Sequence, residues 1–308
     1  MDRLACINID LDGLAHYAAI HALPPGALPP GADSLIDRVA VLRFLELCDA
    51  VGVPGTLFTI GRDLGEPGAR ALRRAVASGH EVGNHTHWHD YALARAPLAD
   101  ASADIARGAR VIERACGVRP RGFRAPGYTF NAAMYQALCD QGYAYGSSVF
   151  PAAPYYLAKA AVLGLQRVRG RRSTSSLDRP AVLAAPRLPY RPDPSDPYRP
   201  GRGPVVELPI TVAPRTRFPF IGTFAATLPR PVVDALYRSV ARQPFLNLEL
   251  HGADLIDASD GTGPALPRAQ RDLRVAASTK VARLSALLRR IARDYTVVTL
   301  LQASAQVA

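Results

Sequence analysis

A chain of 308 residues, 48% hydrophobic and 20% charged, can bury the core of one large α/β domain or two small ones. No apolar run is long enough to span a bilayer as a helix. Its four cysteines, Cys6, Cys48, Cys116 and Cys139, are widely spread without a CxxC pair, which argues against a disulfide framework and a cysteine metal site. The net charge of +11 invites a nucleic-acid reading, but arginines such as Arg70, Arg73 and Arg74 fall on amphipathic helical patterns, so no nucleic-acid partner is expected.

In chain order, Cys6-Ile7-Asn8-Ile9-Asp10-Leu11-Asp12 alternates apolar and polar residues and predicts a strand presenting Asp10 and Asp12 on one side at its carboxyl end. A loop rich in proline and glycine follows, in which His16 and His21 are expected at the surface. A helix over about 34–50, a strand over 55–60, a helix near 67–78 and a short strand over 81–83 lead into Asn84-His85-Thr86-His87-Trp88-His89-Asp90. That segment holds three of the seven histidines and the only tryptophan. His85 and His89 share a side of either a helical turn or an extended segment, whereas His87 joins them only on a strand, so two ligands are read here. A hydrolytic metal site then needs another ligand, usually a carboxylate. Trp88 is expected to pack beside the site, with sugar stacking as the alternative.

A helix over about 99–116 leads to a strand and tight turn at Gly122-Phe123-Arg124-Ala125-Pro126-Gly127-Tyr128, followed by a helix around 132–141 and a strand over 143–149. From 150 to 204 prolines and arginines break the periodicity, which predicts an irregular excursion over the active-site face. Within it, the apolar run from Tyr155 to Leu163 precedes Gln166-Arg167-Val168-Arg169-Gly170-Arg171-Arg172, a combination suited to an anionic membrane or a phosphorylated substrate, with a plain surface loop as the alternative. Regularity returns with a strand over 205–210, a helix around 231–242, a strand over 245–251, a helix near 278–293 and a strand over 296–300. Alternating strands and helices predict a single α/β domain over 1–308, a parallel sheet or barrel with functional residues at the carboxyl ends of its strands.

Four strand ends thus offer Asp10 with Asp12, His85 with His89, Arg124, and His251: metal ligands, a carboxylate base, a cation to hold it, and a separate acid. These residues and their order resemble the polysaccharide deacetylase family, the NodB-homology domain of carbohydrate esterase family four. Asp10-Leu11-Asp12-Gly13 is similar to its acidic-pair motif in the Asp-x-Asp variant, and His85-Thr86-His87-Trp88-His89 to its His-Ser/Thr-x-x-His motif. Arg124-Ala125-Pro126 is similar to its Arg-x-Pro motif, and Leu248-Glu249-Leu250-His251 to its strand ending in histidine.

The resemblance implies a distorted (β/α) barrel of the NodB-homology type. It implies Asp12, His85 and His89 as ligands of a divalent ion, most often zinc, and Asp10 as general base with its pKa lowered by Arg124. Gly127 would stabilise the oxyanion through its backbone N–H, His251 would protonate the leaving amine, and Thr86 would brace the histidine loop. Tyr128 joins Trp88 as a candidate substrate contact. Gly146 stands where the family usually has an aspartate that polarises the acid histidine, and Asp254 or Asp257 is the expected substitute. The expected activity is removal of an acetyl or formyl group from an amino sugar. The start of the chain lacks an export signal, so the expectation is a cytoplasmic protein acting on a lipid-linked or nucleotide-linked saccharide, with peripheral contact to the inner membrane leaflet. A cyclic imide or ureide hydrolase and a metal-containing glycan-binding protein without catalysis are the alternatives.

Overall fold

The computed structural model describes residues 3–170 and 173–307, so Arg171 and Arg172 of the basic run lie outside the described residues. The first strand, β1 (Leu4–Asp10), is buried from Ala5 onward on both faces, as a central parallel strand covered by helices must be. In chain order there follow α1 (Leu14–Ile20), α2 (Val41–Val51), β2 (Thr56–Thr59), α3 (Glu66–Ala77), β3 (Glu81–Asn84), α4 (Leu98–Cys116), β4 (Gly122–Phe123), α5 (Ala132–Asp140) and β5 (Tyr145–Gly146). Next come α6 (Ala153–Val168), the hairpin β6 (Pro192–Asp193) and β7 (Asp196–Pro200), and β8 (Val206–Glu207). The remainder is α7 (Gly222–Thr227), α8 (Arg230–Val240), β9 (Phe245–His251), α9 (Leu266–Ala269), α10 (Ala277–Asp294), β10 (Thr296–Val297) and α11 (Leu300–Ser304).

Every pairing in the main sheet is parallel. β9 pairs all of β1 on one side; on the other, β10 takes Leu4 and Ala5 while β2 takes Asn8 to Asp10, and β3, β4, β5 and β8 follow β2. The sheet curls until the chain beyond β8 meets β9. Thr211 N–H donates to Asn247 O at 3.1 Å, and Asn247 Nδ2 donates to Leu208 O and Pro209 O at 2.9 and 3.2 Å. The result is a distorted (β/α) barrel. Its register sets Asp10 level with His251 and Phe58, Asn84 with Phe123, and Gly146 with Glu207, so the carboxyl ends form one rim.

Several elements differ from their sequence reading. β1 stops at Asp10, and the expected loop after Gly13 opens with α1. β5 and β8 keep only two residues each because, past Gly146, side chains replace the ladder: Ser148 and Val149 N–H both donate to Glu207 Oε1 at 2.7 Å. The end of the expected last strand is α11, capped by Thr299, whose hydroxyl accepts from Gln302 N–H. Segment 150–204 is less irregular than expected, since it contains the sixteen-residue α6. Pro154 sits in the first turn, where its missing N–H costs nothing, and the alanines and leucines behind it favour a helix. Its apolar residues run around both sides of the helix, which hid the 3.6-residue period. Among the described residues, no helix is long and apolar enough to cross a membrane.

The turn after β9 is pinned from below by α10. Lys280 is wholly buried, and its ammonium donates to Ala253 O at 2.7 Å, to Ile256 O, and to Asp272 O at 3.2 Å. Lys280→Met leaves these carbonyls without their donor, and a loss of about 2–4 kcal/mol of stability is expected in chemical denaturation. A loss within error of zero would show that the lysine does not hold this turn.

Candidate active site

The histidine segment leaves β3 through a tight loop in which Thr86 and His89 take left-handed backbone angles, φ +68° and +53°. Side chains other than glycine rarely adopt this conformation, so it persists only when neighbours enforce it. Here Thr86 Oγ1 accepts from His89 N–H at 3.0 Å, Asp104 on α4 accepts from Trp88 N–H at 3.1 Å, and Gly61 and Arg62 N–H donate to the Thr86 and His87 carbonyls.

The loop turns His85 and His89 inward with their Nε2 atoms 3.2 Å apart, and these lie 3.4 and 3.3 Å from Asp12 Oδ1. His85 Nδ1 lies 2.8 Å from Arg124 O, which can only accept, so a proton sits on Nδ1 and Nε2 is the atom turned to a cation. Burial lowers the imidazole's pKa, but Asp10 and Asp12 outweigh it and raise the pKa, so a metal would bind here by displacing the Nε2 proton. Three donor atoms about 2.0–2.1 Å from a tetrahedral ion would be spaced about 3.3 Å apart, so this donor set fits zinc. Asp12 Oδ1 is buried without a hydrogen-bond partner, as an atom awaiting a cation would be. Burial opposes ionisation of Asp12, but His89 and His85 overcome it and hold the carboxyl well below the usual carboxylate range. Burial outweighs the opposing charge of Asp12, and with His85 adding to it the His89 pKa lies well below its ordinary value, which favours the neutral ring a ligand needs. His87 turns the other way, its ring 4.7 Å from that of Trp88.

Beside the trio, Asp10 Oδ1 lies 2.6 Å from Arg124 Nη1. Arg124 is wholly buried; its Nε and Nη2 donate to Ser147 O and Oγ, each at 2.8 Å, and its guanidinium lies over the Phe58 ring. Burial raises the Asp10 carboxyl above its ordinary range, with Arg124 and then His85 opposing it without reversing it. Arg124 does lower this pKa, as expected from its charge, but desolvation is the larger effect and the net direction is upward.

His251 ends β9, and its Nδ1 lies 2.8 Å from Oε1 of the wholly buried Glu249. Two residues apart on a strand, the two side chains share a face. Burial alone would lower the imidazole's pKa, but Glu249 raises it well above the ordinary value. The sequence reading missed Glu249, although it stands in the quoted motif; the signal was its spacing to His251. Asp254 and Asp257 do not substitute for the missing aspartate. Asp254 Oδ2 accepts from the backbone N–H of His251 rather than from its ring, and Asp257 accepts from the N–H groups of Ser259 and Ala277. At Gly146, an added Cβ would meet Glu207 Oε2 at 2.6 Å.

These groups floor a cavity of about 330 Å³. Tyr17, Tyr91, Tyr128 and Tyr155 line it, and α6 roofs it with Ala158, Lys159, Val162 and Leu163. Tyr128 Oη lies 3.3 Å from His251 Nε2, within this lining. Gly127 also faces the cavity, at φ +57°, and its carbonyl accepts from Lys159 Nζ at 3.2 Å. Burial lowers the Lys159 pKa to about 8.

Three positions depart from expectation. Trp88 neither packs in nor lines the cavity: it is 47% exposed, between the guanidinium groups of Arg62 and Arg107. His16 is not a free surface residue, because α1 sets its ring edge-on to His89 at 4.4 Å with its Nε2 2.6 Å from Asp63. His21 lines the cavity and bonds Gln270 at 2.7 Å.

Residues 37–146 match the family model described as polysaccharide deacetylase, which takes in His85, His89 and Arg124. Over that stretch the chain is similar to the polysaccharide deacetylases. It is 23% identical over 156 residues to the peptidoglycan deacetylase of Helicobacter pylori, covering 50% of this chain and 53% of that one. It is 40% identical over 75 residues to the chitooligosaccharide deacetylase of a Bradyrhizobium species, covering 24% of this chain and 33% of that one. The matched stretches thus span about half and a third of these curated relatives. Among solved structures, a candidate polysaccharide deacetylase from Mycobacterium smegmatis superposes with a TM-score of 0.54 at 21% identity, over 97% of this chain and 94% of that one. A structure described as T48 deacetylase with substrate superposes at 0.50 and 12% identity, over 100% and 93%. At these identities the structural likeness establishes the fold.

Proposed function

We propose that the protein is a metal-dependent hydrolase that removes an acetyl or formyl group from the nitrogen of an amino sugar. The observation that carries this reading is the buried trio of Asp12, His85 and His89, set between Asp10 with its arginine and His251 with its glutamate. Asp12 and the two histidines would hold a divalent ion, of which zinc is the best fit. When bound, such an ion polarises the acyl carbonyl and lowers the pKa of a water molecule beside it. Asp10 takes the proton of the attacking water, one of its oxygens being held by Arg124. Gly127 presents backbone to the developing oxyanion. His251, kept charged by Glu249, gives its proton to the departing amine, and the products are a free amine and a short carboxylic acid.

The finer reading is a cytoplasmic enzyme whose amino sugar is carried on a lipid or a nucleotide. All four cysteines are free, which suits a reducing compartment, and the basic residues after α6 suit a phosphate-bearing carrier. A second reading, hydrolysis of a cyclic imide or ureide, is favoured by the cavity volume, which lies at the small end for ligand sites and holds about one sugar ring. Reading the site as a binding protein loses its main support once Glu249 stands beside His251.

Acid release should be measured over N-acetyl and N-formyl amino sugars together with hydantoin-type imides. Chelation is expected to abolish release, and zinc to restore it. Release that survives thorough chelation would sink the mechanism, and release from the imides alone would move the substrate to the second reading.

A further inference from the structure

Among the described residues, eight large hydrophobic side chains are exposed, and four of them, Leu157, Val162, Leu165 and Val168, lie on α6, at 65, 55, 50 and 85% exposure. Before Arg167, every exposed position of this helix is apolar or glycine, because Ala158, Ala161 and Gly164 complete the same face. A sixteen-residue helix with no buried residue is unusual in a protein interior and ordinary at an interface. Its inward side meets the catalytic cavity through Lys159 and Leu163, while the exposed Ala158 and Val162 stand at the cavity's edge between the two faces. The cations are placed with equal bias: from Gln141 to Leu177 the sequence has no aspartate or glutamate, yet it carries Lys159, Arg167, Arg169, Arg171 and Arg172. Arg167 and Arg169 are exposed at the end of the apolar face.

We propose that α6 lies in the surface of an anionic lipid bilayer. Its outward face enters the boundary between headgroups and acyl chains, and Arg167 and Arg169 rest on lipid phosphates. Charge decides between occupants: a second copy of this chain, at +11, would bring like charge to the basic end of the helix, whereas an anionic leaflet brings the opposite sign. The cavity beneath α6 then opens at the membrane, where a sugar on a lipid phosphate carrier enters from the side. This last step rests on the function proposed above; the docking itself does not.

The test is co-sedimentation of the purified full chain with vesicles of phosphatidylcholine alone and of phosphatidylcholine with phosphatidylglycerol. The native protein is expected to bind only the anionic vesicles, and less in high salt. R167A/R169A is expected to bind them about thirtyfold more weakly, at about fivefold per cation. L157S/L165S/V168S changes side chains that do not line the cavity and should lose binding while keeping its hydrolysis of a small soluble substrate. Equal binding by the native protein and both variants, or equal binding to neutral vesicles, would overturn the proposal. So would a concentration-dependent dimer that the serine variant abolishes. Vesicle binding without acid release from any substrate would remove the reading of the site and leave the docking standing.

Discussion

Asp10→Asn is expected to lower kcat by about 10²–10⁴-fold while zinc still binds at one equivalent. The substitution is isosteric, and the amide oxygen can still accept from Arg124 Nη1, now 2.6 Å from the carboxylate. The trio of Asp12, His85 and His89 does not include Asp10, so the ion's donors remain. What disappears is the carboxylate beside the trio to which the proposed mechanism gives the proton of the attacking water. Arg124 loses its counter-charge, and breaking a buried pair is costly, so a stability loss of about 3–5 kcal/mol is expected as well. Kinetics must therefore be run well below the variant's unfolding temperature, with zinc titrated in parallel. A kcat within tenfold of the native value, with full zinc occupancy, would remove Asp10 as the base.

Glu249→Gln should move the alkaline limb of the kcat profile to lower pH and reduce kcat at pH 8 by about 10²-fold, with KM little changed. The sign follows from the balance at His251, where burial pushes its pKa down and the Glu249 charge pushes it further up. A general acid works while protonated, so activity falls as pH rises through that raised pKa. With glutamine the burial stays and the charge goes, so the pKa falls and the limb moves with it. A residue that only filled space would change kcat at all pH values alike. A limb that does not move would separate Glu249 from the proton transfer.

Much of the site was legible because the chemistry is concentrated at strand ends, and strand ends announce themselves. The apolar run into His251 gave β9 to the residue, the alternation through Asp10 gave β1 shifted two residues late at both ends, and the register of a parallel pair sets Asp10 and His251 level. The inward turn of His85 and His89 was legible only as a spacing, since the left-handed angles at Thr86 and His89 depend on Asp104, Gly61 and Arg62 from other elements. Glu249 went unread because it was taken as part of an apolar strand rather than as the same-face neighbour of His251. The α6 helix was missed for a different reason: a helix apolar on both sides, facing a cavity within and no protein without, has no 3.6-residue contrast to detect. His16 and His21 were misplaced because α1 follows so closely on β1, and proximity through a turn leaves no periodic mark.

Glu207 ties Gly146 to the shape of the rim. Its carboxylate occupies the space into which a side chain at Gly146 would grow, and it holds the Ser148 and Val149 amides at that point. A side chain added at Gly146 would therefore be felt first by that carboxylate: displacing Oε2 moves Oε1 with it, and the shift reaches both amides.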